Sequence, residues 1–494
     1  MDILLISLHR GQLTNFGLRY ISSCLKQGRH KAEILFLPKR TDENEFGVIE
    51  SFIGQKSPKL LGLSLMSPNF PFACKLTKRI KTILPETLIV WGGTHPTIAS
   101  EECIPYTDAV CIGEGEMPML ELANCMENNE NYLNVRNFLF HIDDKTIKNP
   151  TRPFFEPLDA LPFPDWSINS HFVMEDGKIK LITEEVFRRY MHYEGATYNI
   201  EITRGCPNSC TYCSNSILRR VASGHYVRRR SPENVLVELN EAVKNFPFIK
   251  AINFQDDCIL AVGQEWLDRF TPRYKKEINL PFLARVIPIF VTEENILSLV
   301  EMGMEFVGMG LQSGSKRIIK EVYKRNSTPE EFIRAARILE KHPLLKNYDV
   351  ITNNPYETEE DIIETLKVLA QLKKPFNLNI YSLTPYPGTP FYERAAEDGH
   401  LDKLNDPYDE EISFSYVFPK SPMEIHLHNL FRLTTFMPGW LILFLVRFRN
   451  PLTFKISKSL ISIRKYILRI LDHLGKTRPD LFLKILRVIK KLKF

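Results

Sequence analysis

The chain has 494 residues, 44% of them hydrophobic and 25% charged, a balance that excludes wholesale disorder and a fibrous fold and leaves room for about three domains. Nine cysteines, odd in number and sparse, fit a reducing compartment with a metal site better than a secreted disulfide scaffold. The net charge of +5 conceals an asymmetry: residues 421–494 hold fifteen Lys and Arg against Glu424, Asp472 and Asp480, net +12, which leaves −7 for the first 420 residues.

A mildly acidic body argues against a nucleic-acid partner, whose basic residues should line the working groove. The opening Met1–Ser7 lacks the basic start and apolar length of a signal peptide. No apolar run reaches the roughly 18 residues of a membrane span; the longest candidate, Met437–Val446, stops at Arg447. A cytoplasmic protein is expected.

Over residues 1–131, apolar runs at Ile3–Ile6, Ala32–Leu37, Leu60–Leu65, Leu88–Trp91 and Ala109–Ile112 predict strands, with amphipathic stretches such as Phe70–Leu84 and Met117–Met126 between them. Five βα repeats predict a doubly wound, Rossmann-like parallel sheet, which binds ligands at the carboxyl ends of its strands. Residues 132–190 read as a linker, because Pro150, Pro153, Pro157, Pro162 and Pro164 are too dense for a helix or a central strand. Alternation resumes over residues 191–400, with strands predicted at Tyr198–Thr203, Ala251–Gln255, Phe282–Val286, Phe306–Leu311, Tyr348–Ile351 and Asn377–Leu383. Ser231-Pro232 and Thr328-Pro329 read as helix caps followed by proline at the first helical position. Six βα units predict an open (βα)6 partial barrel with its chemistry at the strand C-termini. Residues 401–494 read as a helical, basic C-terminal region.

Cys206, Cys210 and Cys213 form a C-x3-C-x2-C triplet on the loop leaving the first barrel strand. Thiolates are soft ligands for zinc or an iron–sulfur cluster. A closed zinc site usually takes a fourth ligand at short spacing, and none follows, since His225 lies twelve residues on. The bland alternative is three unrelated buried cysteines. The triplet, with Tyr212 before the third cysteine, resembles the signature of the radical S-adenosylmethionine (SAM) superfamily. The resemblance continues through Phe254-Gln255-Asp256-Asp257, through Gly308 to Ser315 with Gln312 where an acid is usual, and through Asp349 to Glu360 with Asn353 where glycine is usual. Thr384 to Pro390 matches the segment that ends many such barrels.

This resemblance implies a 4Fe–4S cluster on the three cysteines, SAM contacts at Tyr212, Gln255, Asp256, Asp257, Gln312 and Ser313, and a 5′-deoxyadenosyl radical that abstracts hydrogen from a substrate. It also implies a one-electron reductant such as flavodoxin or ferredoxin. Cys258 admits two readings, a fourth ligand or substrate-side thiol, or a small buried apolar residue.

Trp91-Gly92-Gly93-Thr94-His95 and Ile112-Gly113-Glu114-Gly115-Glu116 follow the fourth and fifth strands. Glycines there permit positive φ and close backbone approach to a ligand. With the proline-rich Leu158–Asp165 stretch, they resemble the cobalamin-binding domain that precedes the barrel in one radical SAM subgroup. Gly92, Gly93, Thr94, His95, Gly113, Glu114 and Gly115 are then cofactor contacts. The segment from Ser7 to Gln12 lacks the aspartate and glycine of a D-x-H-x-x-G cobalt-ligand motif, so His9 and His95 read as ordinary histidines rather than cobalt ligands. The implied reaction is methylation of an unactivated carbon of a small-molecule or lipid substrate. A radical cyclase or other C–C bond-forming enzyme is the alternative, and a methylthiotransferase or a cofactor-binding sensor fits less well.

Lys455, Lys458, Lys465 and Arg469 recur at helical spacing after Asn450-Pro451, and Lys484, Arg487 and Lys491 lie opposite Phe482, Ile485 and Ile489. Such basic amphipathic helices lie in an anionic membrane interface, giving peripheral membrane association, or pack their apolar faces on the barrel.

Overall fold

The structure, a computed structural model, describes residues 1–9, 11–39, 43–143, 145–190, 196–409 and 421–462. The expectations for Arg10 and for the tail helices beyond residue 462 lie outside the described residues. The chain divides into two units: Met1–Ala284 with Glu301–Gly303 and Thr384–Ser413, and Arg285–Val300 with Met304–Leu383 and Phe414–Phe494.

The first unit opens with strands β1 (Asp2–Ser7), β2 (Lys31–Phe36), β3 (Leu60–Ser64), β4 (Leu88–Gly92) and β5 (Ala109–Cys111), all within a residue or two of the predicted runs. Their apolar side chains are nearly all buried because helices cover both faces of a parallel sheet. Helices Phe16–Gln27, Phe70–Ile83 and Glu116–Glu127 supply that cover.

The region predicted as a linker departs from expectation. It forms β6 (Phe138–Ile142), β7 (Lys145–Lys148), β8 (Phe172–Glu175) and β9 (Lys178–Leu181). The sheet order is β7-β6-β5-β4-β3-β1-β2-β8-β9, with antiparallel pairs at both edges. The prolines are confined to the connection between the two pairs, and the outermost strand β7 is exposed along its length, so short charged edge strands escaped a reading tuned to apolar runs. Chain order reverses between β1 and β3, which places the switch point, and the crevice above it, at the ends of β1, β3 and β4.

The same unit continues with β10 (Thr197–Ile200), the short antiparallel pair β11 (Thr203–Arg204) and β12 (Arg228–Arg229), β13 (Ala251–Phe254) and β14 (Phe282–Val286), whose last residues reach the boundary. β10, β13 and β14 pair in parallel. Ser231 caps the helix Pro232–Asn245 by accepting from the Asn234 N–H at 3.1 Å, as predicted.

In the second unit, β15 (Met304–Gln312), β16 (Leu345–Thr352) and β17 (Asn377–Ser382) pair in parallel. These bring the βα strands of the predicted barrel to six. Thr328 and Glu331 close a capping box on the helix Pro329–Leu339. Helices Pro422–Leu433 and Gly439–Arg447 follow, and residues 451–462 are helical. Among the described residues no helix is long and apolar enough to cross a membrane.

Candidate active site

The carboxyl ends of β3, β4 and β5 form one wall of a cavity of about 380 Å³ in the first unit. Asn15 organises its floor: the Nδ2 group donates to Ser7 Oγ and Ser64 Oγ, both at 3.1 Å, while Oδ1 caps the Phe16–Gln27 helix. Gly93 (φ +97°) must be glycine, because a Cβ would lie 2.9 Å from the Leu65 carbonyl oxygen. Gly92 has no such constraint. A Cβ there meets nothing closer than Cys111 Cβ at 3.9 Å, an ordinary contact, and Gly92 lines the cavity, so the fold itself does not require glycine at this position. Thr97 ties the two glycine loops together, donating to Gly93 O at 2.8 Å and accepting from Gly113 N at 3.1 Å.

The loop that carries the cysteines forms the facing wall. Gly205 (φ +88°) turns the chain where a Cβ would sit 2.3 Å from Tyr226 O. Arg219 donates to Cys206 O at 3.2 Å, and Cys213 N to Cys210 O at 3.0 Å. Asn215 Nδ2 reaches Cys213 Sγ at 3.6 Å and Asp257 Oδ2 at 3.0 Å, and Tyr226 donates to Asn215 Oδ1. No disulfide joins the nine cysteines. Among the described residues no three His, Cys, Asp or Glu side chains converge on a single metal-ion position. Ligands of one zinc ion must meet within about 4 Å of each other, whereas cysteines of a cubane bind separate irons. The donor set, three thiols on one short loop, fits a cluster. Burial pushes the Cys206 thiol up to about 12 and raises Cys213; a cluster takes cysteines as thiolates, so its binding is coupled to proton release.

Asp256 stands at the end of β13, 3% exposed. Its Oδ1 accepts from Ile202 N (3.1 Å), Thr203 N (2.6 Å) and Thr203 Oγ1 (2.5 Å), while the buried Oδ2 has no hydrogen-bond partner. Burial raises it to about 6 against those hydrogen bonds. An acceptor left open on the cavity wall fits a cationic or hydrogen-bonding cofactor group. Gln255 Nε2 donates to Asn199 Oδ1 at 3.0 Å. Glu201, which sequence reasoning did not single out, also lines the cavity and is pushed up to about 8, chiefly by burial.

Ion pairs join the two walls. Arg228 donates to both oxygens of Glu114 at 3.0 and 2.9 Å, and Arg204 reaches Glu114 at 3.1 Å and Glu116 at 2.6 Å. Burial alone would raise Glu114; the Arg228 hydrogen bonds and the two guanidinium charges hold it below its ordinary value. Arg204 and Arg228 were not predicted, since nothing local in a sequence marks a partner about 90 or 114 residues away.

Of the residues expected to bind cofactors, Gly92, Gly93, Gly113, Glu114, Gly115, Gln255, Asp256 and Asp257 line this cavity. Thr94, His95, Tyr212 and the three cysteines are not among its lining residues. His95 is fully buried among Phe70 and Tyr408, with Nδ1 3.1 Å from Ser67 Oγ, and burial lowers it to about 4. Burial likewise lowers His9. Tyr212 follows Thr211, whose carbonyl accepts from Phe391 N at 3.0 Å. Cys258 is 1% exposed and does not line the cavity.

Gln312 and Ser313 belong to the second unit. Gln312 adopts φ +68° with a buried, unpartnered Oε1, and Ser313 Oγ donates to Glu357 Oε1 at 3.4 Å. Asn353 takes φ +63°. Asparagine tolerates this left-handed conformation better than most residues, which accounts for its standing where glycine is usual.

Residues 200–369 match the family model of the radical SAM superfamily, and residues 4–123 that of the B12 binding domain. The chain carries a radical SAM domain and a B12-binding domain. It is 26% identical over 396 residues to an uncharacterized methyltransferase of Pyrococcus horikoshii, covering 79% of this chain and 80% of that one. It is 24% identical over 401 residues to the anaerobic magnesium-protoporphyrin IX monomethyl ester cyclase of a Synechocystis strain, covering 78% and 74%. Two solved structures share the fold: the radical SAM methyltransferase TsrM from Kitasatospora setae with tryptophan and a SAM analog bound (TM-score 0.64, 16% identity, 80% of this chain and 76% of that one), and the cobalamin-dependent SAM radical enzyme OxsB (TM-score 0.66, 16% identity, 99% and 75%). The cofactors of the two matched families are a 4Fe–4S cluster, SAM and cobalamin, and the superfamily's chemistry requires a reductant and a substrate.

Proposed function

We propose that this radical SAM enzyme methylates an unactivated carbon of a small-molecule or lipid substrate. The observation that carries this reading is the single cavity that takes lining residues from both matched domains: Gly92, Gly113 and Glu114 from one, Thr203, Gln255 and Asp256 from the other. When bound, the cofactors supply a hydrogen-abstracting radical and a transferable methyl group. Cys206, Cys210 and Cys213 hold the cluster. Gln255, Asp256 and Asp257, which line the cavity, contact SAM. Gly92, Gly93, Gly113, Glu114 and Gly115 receive the corrinoid. In this reading residues 1–131 and 191–400 are the two cofactor domains.

The chain's own residues orient and enclose. Asp256 fixes the strand-to-loop turn through Ile202 and Thr203 and keeps Oδ2 for a ligand. Glu114 and Glu116, paired with Arg204 and Arg228, hold the cysteine loop against the glycine loop, which restricts water and fixes the distance between reacting groups. A flavodoxin- or ferredoxin-type protein delivers the electron. Anaerobic incubation with methyl-labelled SAM and a fractionated small-molecule and lipid extract is expected to place the label on carbon of a product. A second reading, ring formation, is favoured by the similarity to the cyclase. An unlabelled product poorer in hydrogen, formed together with 5′-deoxyadenosine, would replace methyl transfer with that reading.

A further inference from the structure

The helix Gly439–Arg447 in the second unit is apolar on both faces. Ile442, Leu445 and Val446 are buried, and the helix is held by a close approach: a Cβ on Gly439 would lie 2.1 Å from Ala370 O at the end of the helix Glu359–Ala370. Arg449, just beyond, pairs with Glu359. The opposite stripe is Trp440 (70% exposed), Leu443 (41%), Phe444 (48%) and Arg447, spaced i, i+3, i+4, i+7 on one helix face. Phe436, Phe448, Leu452 and Ile456 are exposed on the flanking segments. An apolar surface of this kind on a folded protein marks an interaction site rather than ordinary exposure.

Charge identifies what it meets. Residues 436–462 contain Arg447, Arg449, Lys455 and Lys458 and no Asp or Glu. Among the described residues Arg447, Lys455 and Lys458 form no ion pair. An exposed Trp, Leu and Phe row bordered by Arg447, Lys455 and Lys458, with only Arg449 neutralised by Glu359, complements an anionic bilayer surface, where apolar side chains enter the headgroup boundary and the cations meet phosphates. We infer that this helix is a peripheral membrane anchor that binds anionic phospholipid through Trp440, Leu443 and Phe444. The inference stands on this surface alone and is independent of the reaction proposed above. It places the contact one helix earlier than the basic tail periodicity predicts.

Full-length protein is mixed with phosphatidylcholine vesicles with and without phosphatidylglycerol, and sedimentation and tryptophan quenching by brominated lipid are measured. Trp91 and Trp266 are buried and Trp166 is half-buried, whereas Trp440 is 70% exposed, so a quenching signal lost in Trp440→Phe identifies Trp440 as the reporter of contact. The expected result is sedimentation with the anionic vesicles, quenched emission, and at least a roughly tenfold loss of partitioning in Trp440→Glu/Phe444→Glu. Lys455→Glu/Lys458→Glu is expected to weaken binding to anionic vesicles by about tenfold as well. Thermal melts of the variants, which are altered at exposed positions, check that they remain folded. Wild-type protein left in the supernatant would overturn the inference. So would vesicle binding without quenching, or undiminished binding of the Trp440/Phe444 variant. A dimer that sequesters this face and leaves vesicles unbound would assign the surface to a second copy instead.

Discussion

Replacing Glu114 with alanine tests the link between the two cavity walls. Arg228, whose side chain is 3% exposed, loses both carboxylate oxygens and keeps the carbonyls of Phe155 (2.9 Å) and Tyr226 (3.4 Å) and the face of the Phe154 ring, none of which carries a balancing charge. Arg204, 17% exposed, keeps Glu116 at 2.6 Å. The cost is therefore dominated by stranding the Arg228 charge. Breaking a buried pair from one side costs about 3–5 kcal/mol. Because Glu114 is itself 23% exposed to cavity water, about 3 kcal/mol is the appropriate figure. In a unit of roughly 300 residues that lowers the melting midpoint by roughly 4–5 °C. Removing Arg228 as well relieves the stranded charge, so the Glu114→Ala/Arg228→Ala double variant should recover part of the loss, with a coupling of about 2 kcal/mol. Scanning calorimetry or urea unfolding of the four proteins measures this. A Glu114→Ala variant within about 0.5 kcal/mol of wild type, or strictly additive single effects, would refute the claim that these pairs hold the walls together.

Gly92→Leu is expected to leave the melting midpoint of cofactor-free protein nearly unchanged, because a Cβ at this cavity-lining position meets nothing closer than 3.9 Å, and to weaken corrinoid retention at least about tenfold; equal retention would show that the cavity is not the corrinoid site. Gly205→Ala places a Cβ 2.3 Å from Tyr226 O at φ +88° and should prevent cluster assembly, seen as loss of bound iron and of charge-transfer absorbance. Asp361, held down to about 2 because hydrogen bonds from Arg317, Ser315 and Thr358 outweigh the raising effect of burial, contributes stability that is present above the unfolded carboxylate value near 4 and is lost as pH falls from about 4 to about 2. Asp361→Asn should flatten that part of the urea-unfolding profile, and an unchanged slope would contradict it.

Much of this organisation was legible in the residues. Apolar runs such as Leu60–Ser64 and Leu88–Gly92 are buried on both faces, so burial writes itself into sequence without interruption. Caps at Ser231 and Thr328 are local hydrogen bonds and were equally readable. Strands β6 to β9 were not: the edge strand β7 (Lys145–Lys148) is charged and exposed and leaves no apolar signature, while β6, with Phe138, Leu139 and Phe140 buried, lies just ahead of the proline-dense stretch that reads as a linker. Glycine motifs located the cavity wall, but the loop geometry that seats Gly92 in the cavity wall and His95 among Phe70 and Tyr408 is tertiary. Glu201 became visible as a cavity residue only through its burial beside Asp256 and Arg204.

The account's central claim is that a corrinoid and SAM act within one cavity of the first unit. The most direct measurement is the corrinoid retained by anaerobically reconstituted protein after removal of unbound cofactor, with iron and 5′-deoxyadenosine determined on the same sample. The account predicts stoichiometric corrinoid beside an intact cluster, and its loss in Gly92→Leu while iron and SAM cleavage persist. An intact, SAM-cleaving cluster with no corrinoid retained by the wild-type chain would contradict it.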